Sequence, residues 1–298
     1  MKAPGMRARK GRGRKALAQF TGFFILRLCL ALVLAALAVL LFDIFSKGSG
    51  AVSIEFLTKA PRRGMTEGGI FPAILGTFLV TMVSAVLALP LGMAAAVYLN
   101  EYARKGLLTR IIRVAIRNLA GVPSIVYGLF GVILFVNILS FGTSILSAGL
   151  TLGLMTLPWT ITASEEALKT VPASYREGAL ALGATKWQMI RTNVLPYAIP
   201  GMLTGAVIGL ARAAGETAPI MFTGAAFFLP QLPRSLGDQF MALPYHLYIM
   251  STQHHAIQQV RPLAYGTALV LIGLVLLINM SAVVVRYRLR RKQRWTRT

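Results

Sequence analysis

The 298-residue chain is 56% apolar, 13% charged and has a mean hydropathy of +0.66, which excludes an ordinary soluble domain and predicts an integral membrane protein. Lys and Arg outnumber Asp and Glu by 31 to 9, but seven basic residues lie in the first fifteen positions and seven in the last thirteen. This clustering beside apolar runs indicates cytoplasmic anchors rather than a nucleic-acid surface. The single cysteine, Cys29, excludes a disulfide framework and a thiolate metal cluster.

The first apolar run, 23–45, follows a basic stretch and has two interpretations. Ala36 and Ala38 supply the small-residue pattern of a signal-peptide cleavage site. The run is longer than a signal core and continues past that site, which favours an uncleaved first transmembrane span. Arg27 lies near the cytoplasmic end of this span, where its side chain can reach the headgroups, and we assign it no function.

Further segments approach the roughly 20 apolar residues that a bilayer crossing requires. They are 71–99, 119–139, 143–163, 199–222 and 263–285. The predicted fold class is therefore an all-α integral membrane protein of about six transmembrane helices. Its predicted parts are a basic N-terminal tail at 1–20, a transmembrane domain at 21–285 and a basic C-terminal tail at 286–298.

The distribution of basic residues predicts the orientation in the cytoplasmic membrane. With both tails in the cytoplasm, an even number of spans places the loops at 100–118 and 164–197 inside as well. Inside segments then hold 23 Lys and Arg residues and outside segments hold 6. This asymmetry satisfies the positive-inside rule.

Small residues and histidines outside the obvious motifs have simple interpretations. Glycines within the spans are expected to let helix backbones approach closely. They are Gly149, Gly153, Gly201, Gly205 and Gly209.

The external stretch 227–262 is rich in Pro and aromatic residues, and we predict that it partly re-enters the membrane. His246, His254 and His255 lie there without carboxylates or thiols at ligand spacing, so we interpret them as surface residues and predict no metal site.

The loop at 164–197 carries signals for two short helices that the spans do not explain. Capping boxes are predicted for two residue pairs. The pairs are Ser174 with Glu177 and Thr185 with Gln188. Gly183, between them, suits a left-handed helix end, and Pro196 is predicted to close the second helix. A pair of amphipathic helices on the lipid surface is one interpretation. A DNA-binding helix-turn-helix is discarded because both ends are tethered to spans.

One set of residues in this loop resembles the EAA loop of ABC importer permeases. The set consists of Glu177, Gly178, Ala179, Gly183, Leu195 and Pro196. The resemblance implies that these residues form the coupling element that docks onto a separate ATPase subunit. Gly178 and Asn193 depart from the pattern, because the family usually has Ala and Ile at those positions.

The resemblance extends from about Glu67 to Pro262 and includes the segments TEGGIFPAILGT, NLAGVPSIVYGLFG and ARAAGETAPIMFTGA. These segments resemble the PstA-type permeases of phosphate ABC importers, which implies the type I ABC importer permease fold. It also implies a sister permease of the PstC type, a homodimeric ATPase of the PstB type and an external phosphate-binding protein of the PstS type. ATP and Mg²⁺ are then bound by the ATPase, and this chain holds no cofactor.

Arg212 and Glu216 are the charges that lie deep in the fifth predicted span, four residues apart on one side of a helix. An ion pair inside the membrane is costly, so we expect it to face protein or a water-filled path. The planar guanidinium of arginine also matches the oxygens of phosphate. Pro219 is expected to open the helix beside the pair. Arg212, Glu216, Thr217 and Pro219 are therefore predicted to border the substrate path. A salt bridge that only stabilises packing is the alternative.

Other classes of membrane protein fit less well. A membrane enzyme would need catalytic motifs, and the sequence has neither Gly-x-Ser-x-Gly nor His-Glu-x-x-His. A secondary transporter or channel would need ion-coupling carboxylates in its spans, for which Glu216 is the candidate. The sequence also lacks a phosphate-binding P-loop, so energy must come from a partner. We predict a non-catalytic permease subunit for inorganic phosphate. An importer of another oxyanion and a secondary transporter remain the alternatives.

Overall fold

The computed structural model describes residues 6–295, and helices make up nearly all of the regular structure there. The α-helices are α1 (Met6–Gly48), α2 (Ile54–Thr58), α3 (Phe71–Val97), α4 (Leu107–Leu119), α5 (Ser124–Gly131), α6 (Ile145–Lys169), α7 (Ala173–Ala181), α8 (Lys186–Met189), α9 (Leu195–Ala214), α10 (Ala218–Thr223), α11 (Leu243–Thr252) and α12 (Ile257–Trp295). π-helical turns occupy Tyr98–Tyr102, Val132–Ile138 and Ile190–Val194. A short hairpin pairs β1 (Pro61–Arg62) with β2 (Glu67–Gly68).

The number of membrane crossings agrees with the sequence prediction. Among the described residues, five helices are long and apolar enough to cross a membrane, and the number rises to six when the bent pair Leu107–Leu119 and Ser124–Ile138, with 100° between its parts, is counted as one crossing. The predicted spans 23–45, 71–99, 143–163 and 263–285 lie in α1, α3 with its π turn, α6 and α12. The predicted basic tails lie partly outside the described residues, and their described parts continue α1 and α12 as helix.

The predicted third span, 119–139, begins too early. α4 ends at Leu119, and α5 starts at Ser124 after a sharp bend. Pro123 stands at the start of α5 because it lacks an N–H donor and its ring disfavours helix in the preceding residue. The predicted loop at 100–118 is therefore largely the helix α4, which lies at 100° to the span that follows it.

The predicted fifth span, 199–222, is wrong at both ends. α8, the π turn and α9 form one helical run from Lys186 to Ala214, so Pro196 does not close a helix. Pro196 lies in the first turn of α9, where a missing N–H donor is tolerated. The run stops at Ala214, and the chain resumes as α10 at Ala218.

The core of the bundle is a row of three helices in which α6 lies between α3 and α9. Gly149 and Gly153 of α6 face side chains of α3, and Gly201 and Gly205 of α9 face Ala167 and Ala163 of α6. A methyl group on any of these glycines would crowd the facing helix, which confirms their predicted role. Gly209 differs, because a methyl group there would meet its neighbours at ordinary van der Waals distance.

The stretch 227–262 contains a packed helix rather than only an external loop. α11 buries Leu243, Ile249 and Met250 against α3 and α12. The backbone N–H of Leu243 donates to the hydroxyl of Thr77 at 2.8 Å, which ties α11 to α3. Whether this segment re-enters the bilayer stays a prediction.

The interpretation of all three histidines as surface residues is wrong, because His246 on α11 and His254, two residues after the end of α11, lie inside the protein. His246 and His254 are buried, and His255 is exposed. Nδ1 of His254 accepts from the N–H of Ala256 at 3.0 Å, so its Nε2 donates to the carbonyl of Gly64 at 2.6 Å. Gly64 lies in a turn with positive φ angles, and His254 therefore fixes that turn to the end of α11.

The burial of His246 predicts acid sensitivity. Desolvation, with a smaller effect of neighbouring His254, lowers the pKa of His246 to about 4. Its pKa in the unfolded chain is about 6.5, so the stabilisation from the neutral ring is complete above that pH. On acidification from about pH 6.5 to 4 we expect a loss on the order of 3 kcal/mol.

Thermal unfolding of the purified complex in detergent, measured across this pH range, provides the test. His246→Leu should flatten the pH dependence of the unfolding temperature. His255→Leu, which replaces the exposed histidine next to His254, should leave that dependence unchanged. An acid-induced loss of stability that persists undiminished in His246→Leu would show that another group is responsible.

Candidate functional site

The loop that connects α6 to α9 folds as the two predicted short helices. Gly183 has a φ angle of +83°, so it provides the left-handed turn between α7 and α8. Its N–H donates to the carbonyl of Leu180 at 3.0 Å. At the start of α8, the N–H of Thr185 donates to Oε1 of Gln188 at 2.8 Å, and the N–H of Gln188 donates to the hydroxyl of Thr185 at 3.3 Å. The capping box predicted there is confirmed.

The other predicted capping box, Ser174 with Glu177, does not form. Pro172 takes the cap position, so Ser174 already lies inside the first turn of α7 and cannot cap it. Glu177 and Gly178 are exposed on α7, whereas Ala179 is buried. No atom outside the local backbone lies within 4 Å of a methyl group placed on Gly178, so an alanine at that position would fit.

The structure separates the predicted coupling residues into two groups. Glu177 to Gly183 lie together on the two-helix loop, whereas Leu195 and Pro196 belong to the first turn of α9. Asn193, the second departure from the family pattern, lies in the π turn, where its side-chain amide donates to the carbonyl of Tyr175 at 3.4 Å. This bond ties the π turn back to α7.

The tip of the loop is apolar and exposed, which the sequence reasoning missed. Leu182 is 91% exposed, and Leu180 and Trp187 are about half exposed. Met189 and Ile190, on the opposite side of the loop, are buried in a cluster with residues of α6 and α9. The loop therefore has one face packed on the bundle and one exposed apolar face.

An ion pair fixes the loop to the end of α3. Arg176 of α7 donates to both carboxylate oxygens of Glu101, at 2.8 and 3.3 Å, and Glu101 is only 5% exposed. The same guanidinium donates to the carbonyls of Val171 at 2.8 Å and Leu168 at 3.1 Å. Arg176 therefore joins α7, the end of α6 and the π turn after α3.

A second ion pair lies beside the first. Arg113 of α4 donates to Oε1 of Glu165 in α6 at 3.0 Å and to the carbonyl of Leu99 at 2.7 Å. Both arginines thus contact the π turn Tyr98–Tyr102. The pairing partners are separated by 75 and 52 residues in the chain, so no local spacing could have revealed them.

The geometry of Gly183 predicts the effect of a substitution. In Gly183→Val, a β-branched residue must adopt a positive φ, which costs at least about 1–2 kcal/mol. We expect the bundle to insert normally and the loop tip to lose its shape, so that ATP hydrolysis by the assembled complex falls. Gly50→Val is a suitable control, because that position has open space and no positive φ. Normal expression with unimpaired transport-linked ATP hydrolysis in Gly183→Val would contradict a docking role.

The structure brings together the charged pair predicted in the fifth span. Nε of Arg212 lies 3.4 Å from Oε1 of Glu216, and the two side chains are 51% and 17% exposed. The pair bridges the end of α9, because Glu216 lies in the non-helical break. Thr217 stands at the N-cap position of α10 without a side-chain capping hydrogen bond, and Pro219 is buried in the first turn, so the predicted opening of the helix is present.

One contact of Arg212 could not be read from the sequence. Its guanidinium carbon lies 5.1 Å from the centre of the Trp159 ring, which belongs to α6. A cation above an aromatic face is held in place without consuming its hydrogen-bond donors. Trp159 and Glu216 therefore both contact the Arg212 side chain and favour one direction for its guanidinium.

Arg212 borders a groove of about 500 Å³ between α9 and α12. The groove is lined by Thr204, Val207, Ile208, Ala211, Arg212, Val275, Asn279, Val283 and Arg286. Its wall is mostly apolar and its charged members are both arginines, so this face of the subunit has a positive character.

The chain matches known proteins over most of its length. Residues 88–295 match the family described as binding-protein-dependent transport system inner membrane component. The chain is 32% identical over 274 residues to the probable ABC transporter permease protein YqgI of Bacillus subtilis, covering 88% of this chain and 92% of that protein. It is 35% identical over 280 residues to the phosphate transport system permease protein PstA 1 of Mycobacterium tuberculosis, covering 92% and 88%.

Solved structures show the same fold. A bacterial alginate ABC transporter in complex with an alginate pentasaccharide-bound periplasmic protein superposes with a TM-score of 0.64 at 15% identity, over 90% of this chain and 94% of that one. The inward-facing methionine ABC transporter MetNI gives 0.60 at 20% identity, over 73% and 94%. At these identities the likeness shows the fold alone, which is that of type I ABC importer permeases. The chain belongs to the family of binding-protein-dependent transport system inner membrane components.

Proposed function

We propose that this chain is the membrane permease of an ATP-driven importer for inorganic phosphate. Its family consists of inner membrane components of transport systems that depend on a binding protein, which implies an ATPase partner and an external binding protein. The phosphate assignment is supported by relatives such as PstA 1 of Mycobacterium tuberculosis. The partners that fit this function are a PstC-like sister permease, a PstB-like ATPase dimer that binds ATP and Mg²⁺, and a PstS-like binding protein.

The observation that carries the proposal at the level of residues is the placement of Arg212. Its guanidinium lies beside a break in the fifth span, is oriented by Trp159 and Glu216, and is half exposed on the subunit surface. In the heterodimer, this surface would border a path shared with the sister permease. Nε of Arg212 donates to Oε1 of Glu216 at 3.4 Å, and in this proposal the terminal nitrogens of the guanidinium donate to a passing oxyanion.

Glu216 has a distinct role in this proposal. An unpaired arginine in a low-dielectric path would hold a doubly charged phosphate too tightly for release, whereas a carboxylate one turn away offsets part of that attraction. Conduction requires that the anion binds weakly, so the pair is suited to releasing phosphate rather than to holding it tightly.

The coupling loop and the orientation complete the proposal. The exposed Leu182 and Trp187 at the loop tip form the surface that would enter the ATPase. We place this loop and both termini in the cytoplasm, because this orientation puts 23 Lys and Arg residues inside and 6 outside. The chain itself carries no P-loop and acts as a non-catalytic subunit.

Uptake by four variants tests the substrate path. Arg212→Lys keeps the charge and loses the planar fork, so we expect uptake to fall about 10- to 100-fold, since a hydrogen bond to a charged group contributes roughly 1.5–3 kcal/mol. Arg212→Leu should abolish uptake, and Glu216→Leu should slow release of the anion.

The double variant Arg212→Leu/Glu216→Leu separates the path from a packing role. A salt bridge that only stabilises packing predicts that the double variant regains both complex yield and uptake. Arg27→Lys, at an intramembrane arginine to which we assign no function, is the matched control. Normal phosphate uptake by the double variant in a stably assembled complex would contradict the proposed path. Competition of sulfate or molybdate with phosphate uptake would favour another oxyanion as the substrate.

A further inference from the structure

The helix α4 has a character unlike that of the spans around it. Its sequence, LLTRIIRVAIRNL, contains three arginines and no acidic residue. Apolar residues share one side of the helix and arginines share another, at helical spacing. The apolar side comprises Leu108, Ile111, Ile112, Ala115 and Leu119, and the basic side comprises Arg110, Arg113 and Arg117. A strongly amphipathic helix with a basic polar face is the pattern of an interfacial membrane helix.

None of the thirteen residues of α4 is buried. Leu108 is 72% exposed and Ile111 is 54% exposed. In the part of the chain that the structure describes, no element covers this apolar side. Such a surface facing water would carry a large free-energy cost, so something apolar must lie against it.

Short links join α4 to the helices before and after it in the chain. The π turn after α3 ends at Tyr102, five positions before Leu107, and α5 begins at Ser124, five positions after Leu119. The thirteen residues rise about 20 Å between these two spans. Because α4 lies at 100° to α5, a membrane crossing by α5 would orient α4 close to the bilayer plane.

The edge of α4 that faces protein is fixed by specific contacts. Arg113 is paired with Glu165, and Ile116 packs on the cluster that contains the coupling-loop residues Met189 and Ile190. The hydroxyl of Tyr127 donates to the carbonyl of Leu119 at 2.9 Å and holds the end of the helix. These contacts locate α4 at the coupling-loop end of the bundle and leave Arg110 and Arg117 exposed.

We propose that α4 is an interfacial helix that binds anionic phospholipid headgroups at the coupling-loop end of the permease. Its apolar side enters the acyl boundary, and Arg110 and Arg117 contact lipid phosphates. Charge complementarity favours this occupant over a protein, because both exposed charges are positive and α4 offers no carboxylate to a basic partner. Glu165 and Glu101 do not neutralise Arg110 or Arg117, since these carboxylates are already paired with Arg113 and Arg176.

The first experiment measures what covers the apolar side. In the assembled transporter in lipid vesicles, with Cys29→Ser as background, a nitroxide is attached to a cysteine at Ile111. Its spin relaxation is then measured with oxygen and with a water-soluble nickel chelate. We expect frequent collisions with oxygen and few with nickel. Frequent nickel collisions would show that the side faces water, and shielding from both reagents would show that a protein covers it; either result overturns the proposal.

The second experiment tests the lipid charge. Energy transfer from a donor at the Ile111 site to labelled phosphatidylglycerol is compared with transfer to labelled phosphatidylcholine of identical chains. We expect enrichment of phosphatidylglycerol, lowered roughly fivefold for each arginine removed in Arg110→Gln/Arg117→Gln. Arg62→Gln/Arg63→Gln, which removes two exposed charges in the β1 hairpin region, should leave the enrichment unchanged. Equal transfer to both lipids, or enrichment that survives the loss of both arginines of α4, would overturn the proposal.

Discussion

We expect Glu101→Gln to lower the free energy of unfolding of the permease by about 3–5 kcal/mol, because it leaves Arg176 charged and unpaired in a largely buried site. Glu101 is 5% exposed and Arg176 22% exposed in the native pair. Thermal unfolding of the assembled transporter measures the effect. The same variant should reduce substrate-stimulated ATP hydrolysis, since α7 loses its tie to the π turn after α3.

The control for this prediction is another acidic residue at the same end of the bundle. Glu166 pairs with Lys169 across one helical turn, with both side chains about half exposed or more, so Glu166→Gln should cost at most about 1 kcal/mol. Replacing both members of the buried pair, in Glu101→Leu/Arg176→Met, should recover much of the lost stability. If Glu101→Gln and Glu166→Gln unfold at the same temperature, the pair does not have the stabilising role that its burial indicates.

Gly205→Ala is expected to be disruptive although it adds a single methyl group. That methyl would overlap the side chain of Ala163 on α6, and moving the helices apart to relieve the overlap would also loosen the neighbouring contact of Gly201 with Ala167. Crowding of this kind costs about 1–3 kcal/mol, and we expect a clear drop in the yield of folded complex. Gly273→Ala on α12 is the matched control, because a methyl group there meets nothing within 4 Å.

A compensating change makes the test of the α6–α9 contact specific. In Gly205→Ala/Ala163→Gly the methyl group is moved across the interface, so its volume is kept and the overlap is removed. Because the two sites are in contact, their effects should not add, and the double variant should regain most of the lost yield. A double variant as poorly folded as the sum of its single changes would exclude this steric explanation.

The sequence was sufficient for features that depend on local spacing. Apolar run length predicted six crossings, Gly183 predicted the left-handed turn, and the spacing of Thr185 and Gln188 predicted a capping box. The amphipathic character of α4 is also visible in the spacing of Arg110, Arg113 and Arg117, although a search for apolar runs long enough to span a bilayer predicts this segment as a loop.

Features that depend on tertiary packing could not be predicted from the sequence. Ser174 has the spacing of a helix cap, yet Pro172 takes that position because its fixed φ suits a helix start. His246 lies in a stretch rich in Pro and aromatic residues that was predicted to be external, and it is buried because α11 packs on α3 and α12. Trp159 meets Arg212 across two helices, and no rule of spacing connects them.

The uninterrupted helix from Lys186 to Ala214 has a mechanical consequence. Its 29 residues make a rod of about 43 Å, and the residues at its internal joins keep right-handed helical angles. The second helix of the coupling loop is the lower end of this rod, and Arg212 lies one turn from its upper end. A tilt of this run as one lever about the glycine contacts to α6 would displace its loop end and the Arg212 guanidinium in opposite directions. The free end of that lever is the break at Gly215, where the stiff element ends and the motion can be released.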